Sequence, residues 1–247
     1  MYQKTEGIVL RETEYNDSDK LLTVLTRDFG KITLKARGVK SRTSKLRAAC
    51  QLLTYSEFTF LERQGRNVIT EAAVKEMFLP LRADLERFSL AAYFAQVTDA
   101  VSQEEDPLPS VLSLLLNSLY VLGRGDLPQL QIKAVFELRL TCLIGYLPDL
   151  RGCAVCGSAA PDRFNITQGV LQCGHCSAAE TEGIRMPLSG GCLEAMRFIA
   201  AAEPKRLFSF RLSESALEQL SGITESYLCM RLERGFYTLD FYKSLFL

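Results

Sequence analysis

The sequence predicts an α+β protein of several domains, because three features divide the chain. Residues 1–80 contain short runs in which apolar and polar residues alternate, as half-buried strands require. After Pro80 the apolar residues recur at intervals of three and four, which is typical of amphipathic helices. Paired cysteines between residues 151 and 179 interrupt this helical region. We therefore predict a strand domain over 1–80, a helical domain over 81–150 and 180–247, and a cysteine module over 151–179.

The first domain is predicted to be a five-stranded β-barrel of the OB type. Strand breakers such as Asn16-Asp17-Ser18 and Arg63-Gln64-Gly65 separate its strands, and one long loop lies between the third and the fourth. Five short strands with one long loop fit a small Greek-key barrel, a fold that binds single-stranded nucleic acid. The predicted strands are Tyr2–Arg11, Lys20–Arg27, Lys31–Arg37, Leu52–Leu61 and Arg66–Val74.

The third predicted strand and the loop after it concentrate positive charge. Residues 30–47 contain seven basic side chains and no acidic one, in a chain whose formal net charge is zero. Along the strand Ile32, Leu34 and Ala36 share one face, so that the cations point away from the core. Alternatively, the strand lies at the solvated edge of a sheet and its lysines prevent pairing with another chain. That role does not require the further cations of the loop. The candidate polyanion-binding residues are Lys31, Lys35, Arg37, Lys40, Arg42, Lys45 and Arg47, and the candidate base-stacking residues are Tyr15, Phe29 and Tyr55.

The two parts of the chain differ in charge. Residues 1–80 carry 14 basic and 10 acidic side chains, and residues 81–247 carry 15 and 19. This asymmetry places polyanion binding at the N-terminal end. Neither a signal-peptide core nor a long uninterrupted apolar run is evident, so we expect a soluble cytoplasmic protein with no membrane partner and with reduced cysteines unless a metal binds them.

The helices of the helical domain are predicted from the spacing of apolar residues and from residues that typically end helices. A first helix is predicted around Leu81–Ala95, a second at Val111–Leu122 and a third at Gln129–Ile144, which Gly145 ends. Further helices are predicted at Gly191–Ala202 and after Ser215, where Ser-Ala-Leu-Glu has the form of a capping box. The aromatic tail, residues 236–247, is expected to pack back on the helices, since exposed aromatic runs are unusual.

The cysteine module has the spacing of a zinc site. Two C-x2-C pairs are separated by sixteen residues, and each pair can present two sulfurs to one tetrahedral ion. Four thiolates close the coordination shell of zinc, so we predict a structural ion. His175, the one histidine of the chain, is an alternative ligand inside the second pair. The predicted ligands are Cys153, Cys156, Cys173 and Cys176, whereas Cys50, Cys142, Cys192 and Cys229 are interpreted as small buried hydrophobes.

The sequence argues against an enzyme. With one histidine beside the cysteine pairs, a Ser-His-Asp or Cys-His arrangement is disfavoured. The chain has no G-x4-G-K-[ST], G-x-G-x-x-G, G-x-S-x-G or H-E-x-x-H motif. Asp17 and Asp19 are an alternative magnesium site, but a turn between the first two strands explains both residues.

The chain resembles the RecO family of bacterial recombination mediators. The residues that carry the resemblance are EGIVLRETEYNDSDKLLTVLT, GKITLKARGVKSRTSKLRAACQ, FELRLTCLIGYLPDL, and CAVC followed by CGHC. The resemblance implies an N-terminal OB-fold, a helical domain and a zinc module. It also implies binding to single- and double-stranded DNA, annealing of complementary strands, and loading of RecA, together with RecR, on DNA coated by single-strand-binding protein, in DNA repair and recombination by the RecF pathway at the nucleoid.

The resemblance further implies that the C-terminal tail of the single-strand-binding protein docks on the helical domain near the Phe-Glu-Leu-Arg-Leu segment. By matching segment, the residues expected to meet this acidic tail are Lys133, Leu138 and Arg139.

Two alternatives to a DNA-binding mediator stay open. An RNA-binding OB and zinc-ribbon protein is one, because an OB barrel does not by itself distinguish RNA from DNA. A zinc-dependent enzyme acting on nucleic acid is the other, and it would need an open coordination position and a nearby base.

Overall fold

The computed structural model describes residues 1–63, 65–179 and 183–246. The chain forms two compact units, Met1–Arg124 with the segment that begins at Phe236, and Gly125–Gly235. The three-domain division of the sequence analysis stays a prediction, and its boundary at 180 falls outside the described residues. Among the described residues, no helix combines the length and the apolar character that crossing a membrane requires.

The first unit begins with a closed five-stranded barrel, which confirms the predicted fold of this part. The strand order is β1-β2-β3-β5-β4, and antiparallel pairing of β1 with β4 closes the barrel. β3 and β5 pair in parallel, as in an OB barrel, and the other neighbours are antiparallel. The strands are β1 (Tyr2–Glu14), β2 (Lys20–Thr26), β3 (Lys31–Ala36), β4 (Tyr55–Arg63) and β5 (Arg66–Glu76).

Period-two patterning fills the barrel as predicted. Ile32, Leu34 and Ala36 of β3 point into the core, together with Phe58 and Phe60 of β4. The intervening Lys31, Thr33 and Lys35 face outward. The register of β3 therefore fixes which side of the barrel carries its cations.

The long loop between β3 and β4 is an ordered chain of turns, which we call the turn segment (residues 37–54). Successive backbone bonds join Ser41 N–H to the Gly38 carbonyl, Ser44 N–H to Ser41, and Arg47 N–H to Ser44. The buried side chains of Val39, Ala49, Cys50 and Leu53 anchor it to the barrel. Its cations are thus displayed on a fixed backbone.

The described residues of the first unit also form the helices α1 (Leu79–Arg82), α2 (Leu85–Val101), α3 (Pro109–Arg124) and α8 (Tyr237–Ser244). The C-terminal helix packs on α2, where Phe236 meets Tyr93 edge to face at 5.7 Å and the Thr238 hydroxyl donates to Gln96. This confirms the expectation that the aromatic tail packs back on the helices. Tyr237 and Phe241 stay exposed.

The second unit combines three helices with a small sheet. Its helices are α4 (Gln129–Leu143), α6 (Gly190–Ala201) and α7 (Glu214–Leu232), with the short α5 (Gly174–Ala179) beside the cysteines. The strands β6 (Asp149–Cys153), β7 (Arg163–Asn165), β8 (Val170–Gln172) and β9 (Arg185–Pro187) form one sheet in the order β6-β8-β7-β9. The start predicted for α7 at Ser215 is wrong, because Ser213 is the N-cap and accepts a hydrogen bond from Ala216 N–H.

We expect Gly30→Ala to destabilise the first unit more than Gly38→Ala. Both glycines have left-handed backbones, with φ of 64° and 61°, so alanine is strained at either position. A Cβ at Gly30 would also lie 2.5 Å from the backbone of Asp106, whereas one at Gly38 would meet nothing within 4 Å. Urea unfolding should show a loss of about 1 kcal/mol for Gly38→Ala and clearly more for Gly30→Ala. Equal losses would mean that the close approach to Asp106 is not maintained.

Candidate nucleic-acid surface and metal centre

The fold brings the four predicted zinc ligands together. The Sγ atoms of Cys153, Cys156, Cys173 and Cys176 all lie within 4.8 Å of one another, and those of Cys156 and Cys173 are 3.8 Å apart. Four sulfurs about 2.3 Å from one tetrahedral ion would be separated by about 3.8 Å. The arrangement therefore fits a metal ion held by four thiolates.

Local backbone geometry builds each half of this cluster. Gly157 N–H donates to the Cys153 carbonyl, and Ser177 N–H donates to the Cys173 carbonyl, so each cysteine pair forms a tight turn. Gly157 has a φ of 74°, which a residue with a side chain rarely adopts. Backbone N–H groups of Cys156 and Cys173 point at the Cys153 sulfur and lower the pKa of this thiol to about 6. These donors therefore favour the thiolate form of Cys153, which is the form that binds metal.

The other candidate ligand and the isolated cysteines lie outside the cluster. His175 is exposed and does not join the four sulfurs. Burial raises the pKa of Cys50 and Cys192 to about 12 and that of Cys142 to about 11, so these thiols stay protonated. Cys50 and Cys192 are fully buried as predicted, whereas Cys142 and Cys229 are half-buried.

Helix α7 holds the cysteine module within the second unit. Tyr227 packs edge to face on Phe164 of β7 at 5.3 Å, and its hydroxyl donates to the Tyr146 carbonyl. Arg231 donates to the carbonyls of Ile166 and Thr167 at 2.8 and 2.7 Å. These contacts fix the sheet that carries the cysteines.

The seven predicted polyanion-binding cations fall into two groups. Lys31, Lys35 and Lys40 are engaged inside the barrel unit. Lys31 Nζ lies 3.1 Å from Asp99 Oδ1, Lys35 Nζ lies 3.1 Å from Asp19 Oδ2, and Lys40 pairs with Glu14. By contrast, Arg37, Arg42, Lys45 and Arg47 are exposed, and no ion pair involves them within the part of the chain that the structure describes. The unpaired charge is therefore on the turn segment rather than on the strand.

Asp19 organises the base of this surface, a role that sequence reasoning missed. Its carboxylate accepts hydrogen bonds from Gly38 N–H at 2.9 Å and from Asn16, and it pairs with Lys35. The Gly38 N–H, followed by Lys35 and Asn16, lowers the pKa of Asp19 from 3.8 to about 2 despite the opposing effect of burial. The stabilisation is hence present at neutral pH and is lost only as the pH falls through this range.

A groove runs along the outer face of β3. Tyr15 from the β1–β2 loop, Gly65 from the β4–β5 turn, and Arg66 at the start of β5 line its walls, and Lys31 and Lys35 of β3 line its floor. Strands 2 and 3 with these two loops are where OB barrels bind oligonucleotides. Of the predicted stacking residues, Tyr15 is exposed in this groove with Lys35 Nζ 4.4 Å from its ring centre. Phe29 packs on Phe60, and the Tyr55 hydroxyl donates to Glu6.

The residues expected to meet a partner's tail lie on α4. Lys133 is 1% exposed and Leu138 is fully buried, so neither presents a surface in this structure. Arg139 is half-buried, and its guanidinium donates to the carbonyls of Ile199 and Ala200 at the end of α6.

Lys133 belongs to a buried ionic network between α4 and α7. Its Nζ lies 2.9 Å from carboxylate oxygens of both Glu137 and Glu225, and the Thr224 hydroxyl donates to Glu137 at 2.7 Å. Burial opposes the charge on Lys133, but the two carboxylates outweigh this effect and raise its pKa. The ammonium therefore stays charged and neutralises Glu137, which has no exposed surface.

We expect loss of a cysteine of the cluster to abolish metal binding. Cys156→Ser should remove most of the roughly one equivalent of zinc that the wild-type chain is expected to hold, because a tetrahedral site with three thiolates binds zinc far more weakly. Cys229→Ala is the control, since Cys229 lies outside the cluster. Zinc released on denaturation, measured with a colorimetric chelator, distinguishes the variants. An unchanged zinc content in Cys156→Ser would contradict the four-thiolate assignment.

We expect Lys133→Met to lower the free energy of unfolding by about 3–5 kcal/mol, because it leaves Glu137 charged and buried. The double variant Lys133→Met, Glu137→Leu removes both charges and should recover most of this loss. Urea denaturation measures both effects. Lys205→Met, at an exposed lysine, is the control. If Lys133→Met lowered the free energy of unfolding as little as this control does, the buried network would not stabilise the fold.

Comparisons with known proteins agree with this architecture. The N-terminal model of recombination protein O matches residues 1–78, and the C-terminal model matches residues 82–240. A protein of Acetivibrio thermocellus is 37% identical over 99% of this chain and 97% of its own length. Relatives from Caldicellulosiruptor bescii and Symbiobacterium thermophilum are 31% and 29% identical, each over 97% of this chain and over 97% and 96% of their own lengths. All three relatives carry the name DNA repair protein RecO. The barrel, the helical part and the four-cysteine cluster thus occur in a chain that belongs to the RecO family of DNA repair proteins.

Proposed function

We propose that this chain is a DNA-binding recombination mediator that acts without catalysing a reaction. It binds single- and double-stranded DNA, anneals complementary strands and, with RecR, helps to load RecA on DNA coated by single-strand-binding protein. Four cations that have no carboxylate partner among the described residues, on the ordered turn segment that follows β3 of an OB barrel, carry this proposal. Such a protein works in the cytoplasm, at the nucleoid.

The turn segment supplies the electrostatic part of binding. Arg37, Arg42, Lys45 and Arg47 are not neutralised by carboxylates of the described chain, so DNA phosphates can replace their counterions. Lys31, Lys35 and Lys40 already have carboxylate partners and contribute less net charge. The phosphate contacts are thus centred on the turn segment, with the strand lysines in a supporting role.

Annealing follows from this mode of contact. Cations that bind phosphates reduce the repulsion between two strands and leave the base edges free to pair. No nucleotide hydrolysis or reacting group is needed. A zinc ion bound by the four thiolates would cross-link the two cysteine turns and stabilise the second unit, with no position left for a reacting water.

The contact with the single-strand-binding protein would involve α4. Lys133 and Leu138 are enclosed between helices, so an acidic tail of single-strand-binding protein would meet α4 first at Arg139. Arg139 is bound to two carbonyls of α6, and it would contact the tail with its remaining donor groups.

The decisive test is annealing of complementary strands coated with single-strand-binding protein, followed by fluorescence without nucleotide. The wild-type chain should accelerate annealing, and the acceleration should fade with salt. A folded, zinc-loaded protein that neither binds nor anneals DNA would overturn the proposal, and preference for structured RNA would favour the RNA-binding alternative.

Replacement of Arg42, Lys45 and Arg47 by Ala should weaken binding to a single-stranded oligonucleotide by about tenfold or more. Three lost phosphate contacts should also reduce the log–log salt slope by about 2. The matched control replaces Lys205, Arg206 and Arg211, three exposed cations of the second unit, by Ala. Fluorescence anisotropy over a salt series measures both quantities. Equal losses in the two triple variants would mean that the turn segment is not the binding surface.

A further inference from the structure

The groove of the barrel is flanked by an acidic segment of the same unit. Residues 103–106 follow α2 and include Glu104, Glu105 and Asp106; we call them the acidic turn. Lys31 N–H donates to the Gln103 carbonyl at 3.2 Å, and Glu104 forms β-bridges with Gly30 and Lys31. The acidic turn thus pairs with the beginning of β3 through its backbone.

Two further contacts hold the acidic turn in place. Gly30 approaches Asp106 so closely that a Cβ would lie 2.5 Å from its backbone N and O atoms. Four residues before the acidic turn, Asp99 of α2 accepts from Lys31 Nζ, at 2.8 Å with its carbonyl and at 3.1 Å with its carboxylate. Gly30 and Lys31 therefore hold the acidic turn and the end of α2 close to the beginning of β3.

The acidic turn changes the charge of the groove. Glu104 and Glu105 line it together with Tyr15, and Glu105 also lines a second groove with Phe29 and Asn67. Lys31 and Lys35 on the floor are already paired with Asp99 and Asp19. Glu104 and Glu105 are exposed, and neither has an ion-pair partner within the described ranges, so together they outnumber Arg66, the cation that shares the groove lining with them.

The negative charge of Glu104 and Glu105 is unfavourable for binding DNA in the groove of an OB barrel. Barrels that bind single strands track the phosphates with a positive groove. Here each lysine of the floor is matched by a carboxylate, and the walls carry one cation, Arg66, against the two carboxylates of Glu104 and Glu105. A phosphate that enters must first overcome this repulsion, whereas the turn segment is open to it.

We propose that the acidic turn is an autoinhibitory element that competes with single-stranded DNA for the groove. DNA binds the turn segment first and then displaces the acidic turn from β3, which breaks the bond from Lys31 N–H to Gln103 and clears Glu104 and Glu105 from the groove. The inference rests on the proposed function, since the competing ligand is the DNA. DNA shifts this equilibrium because it interacts favourably with the open groove only.

The test compares wild type with the double variant Glu104→Gln, Glu105→Gln. Its affinity for a single-stranded oligonucleotide at low salt should rise by about fivefold, the effect expected when two exposed charge repulsions are removed. The control Glu71→Gln, Glu218→Gln makes the same change in net charge at exposed glutamates away from the groove and should alter affinity less than twofold.

Hydrogen exchange of the Lys31 amide distinguishes displacement of the acidic turn from electrostatic repulsion of the DNA by an acidic turn that does not move. In the wild-type chain this amide should lose protection when the oligonucleotide is added, because its bond to Gln103 opens. Unchanged protection, or equal affinities of the double variant and its control, would overturn the autoinhibitory role while the proposed function stands. If the wild-type chain bound no oligonucleotide at all, the proposed function itself would fail.

Discussion

The surface of the barrel that we propose for DNA binding depends on one carboxylate, that of Asp19. Asp19 stands at the beginning of β2, yet it accepts a hydrogen bond from Gly38, where β3 has ended, and it pairs with Lys35. It therefore joins the β1–β2 loop to β3 and to the beginning of the turn segment. Because the turn segment starts from this fixed point, its exposed cations have a defined position relative to Tyr15 and the groove.

Features set by local spacing could be predicted from the sequence. Alternation in Lys31–Ala36 specified both the strand and its buried face, and the spacing of the cysteines specified a cluster of four sulfurs. These predictions succeeded because strand periodicity and tetrahedral thiolate coordination each impose a short-range pattern on the chain.

Features that depend on distant residues could not be predicted. Nothing near Lys31 in sequence indicates that Asp99, at the end of α2, neutralises it. Likewise Lys133 and Glu137, four residues apart, have the spacing of an ordinary surface ion pair, and only the packing of α7 over α4 buries them. The charge of a side chain is read from the sequence, but whether that charge is available to a ligand is decided by tertiary contacts.

The return of the last helix to the first unit has a consequence during synthesis. The face of α2 that receives Phe236 and Leu239 is made early, whereas those two residues leave the ribosome only after the whole of Gly125–Gly235. Until then Tyr93 lacks its contact with Phe236, and the nascent chain exposes apolar surface of the kind that chaperones recognise. The barrel can close co-translationally, but the unit that contains it acquires its full stability only when Phe236 and Leu239 have joined it.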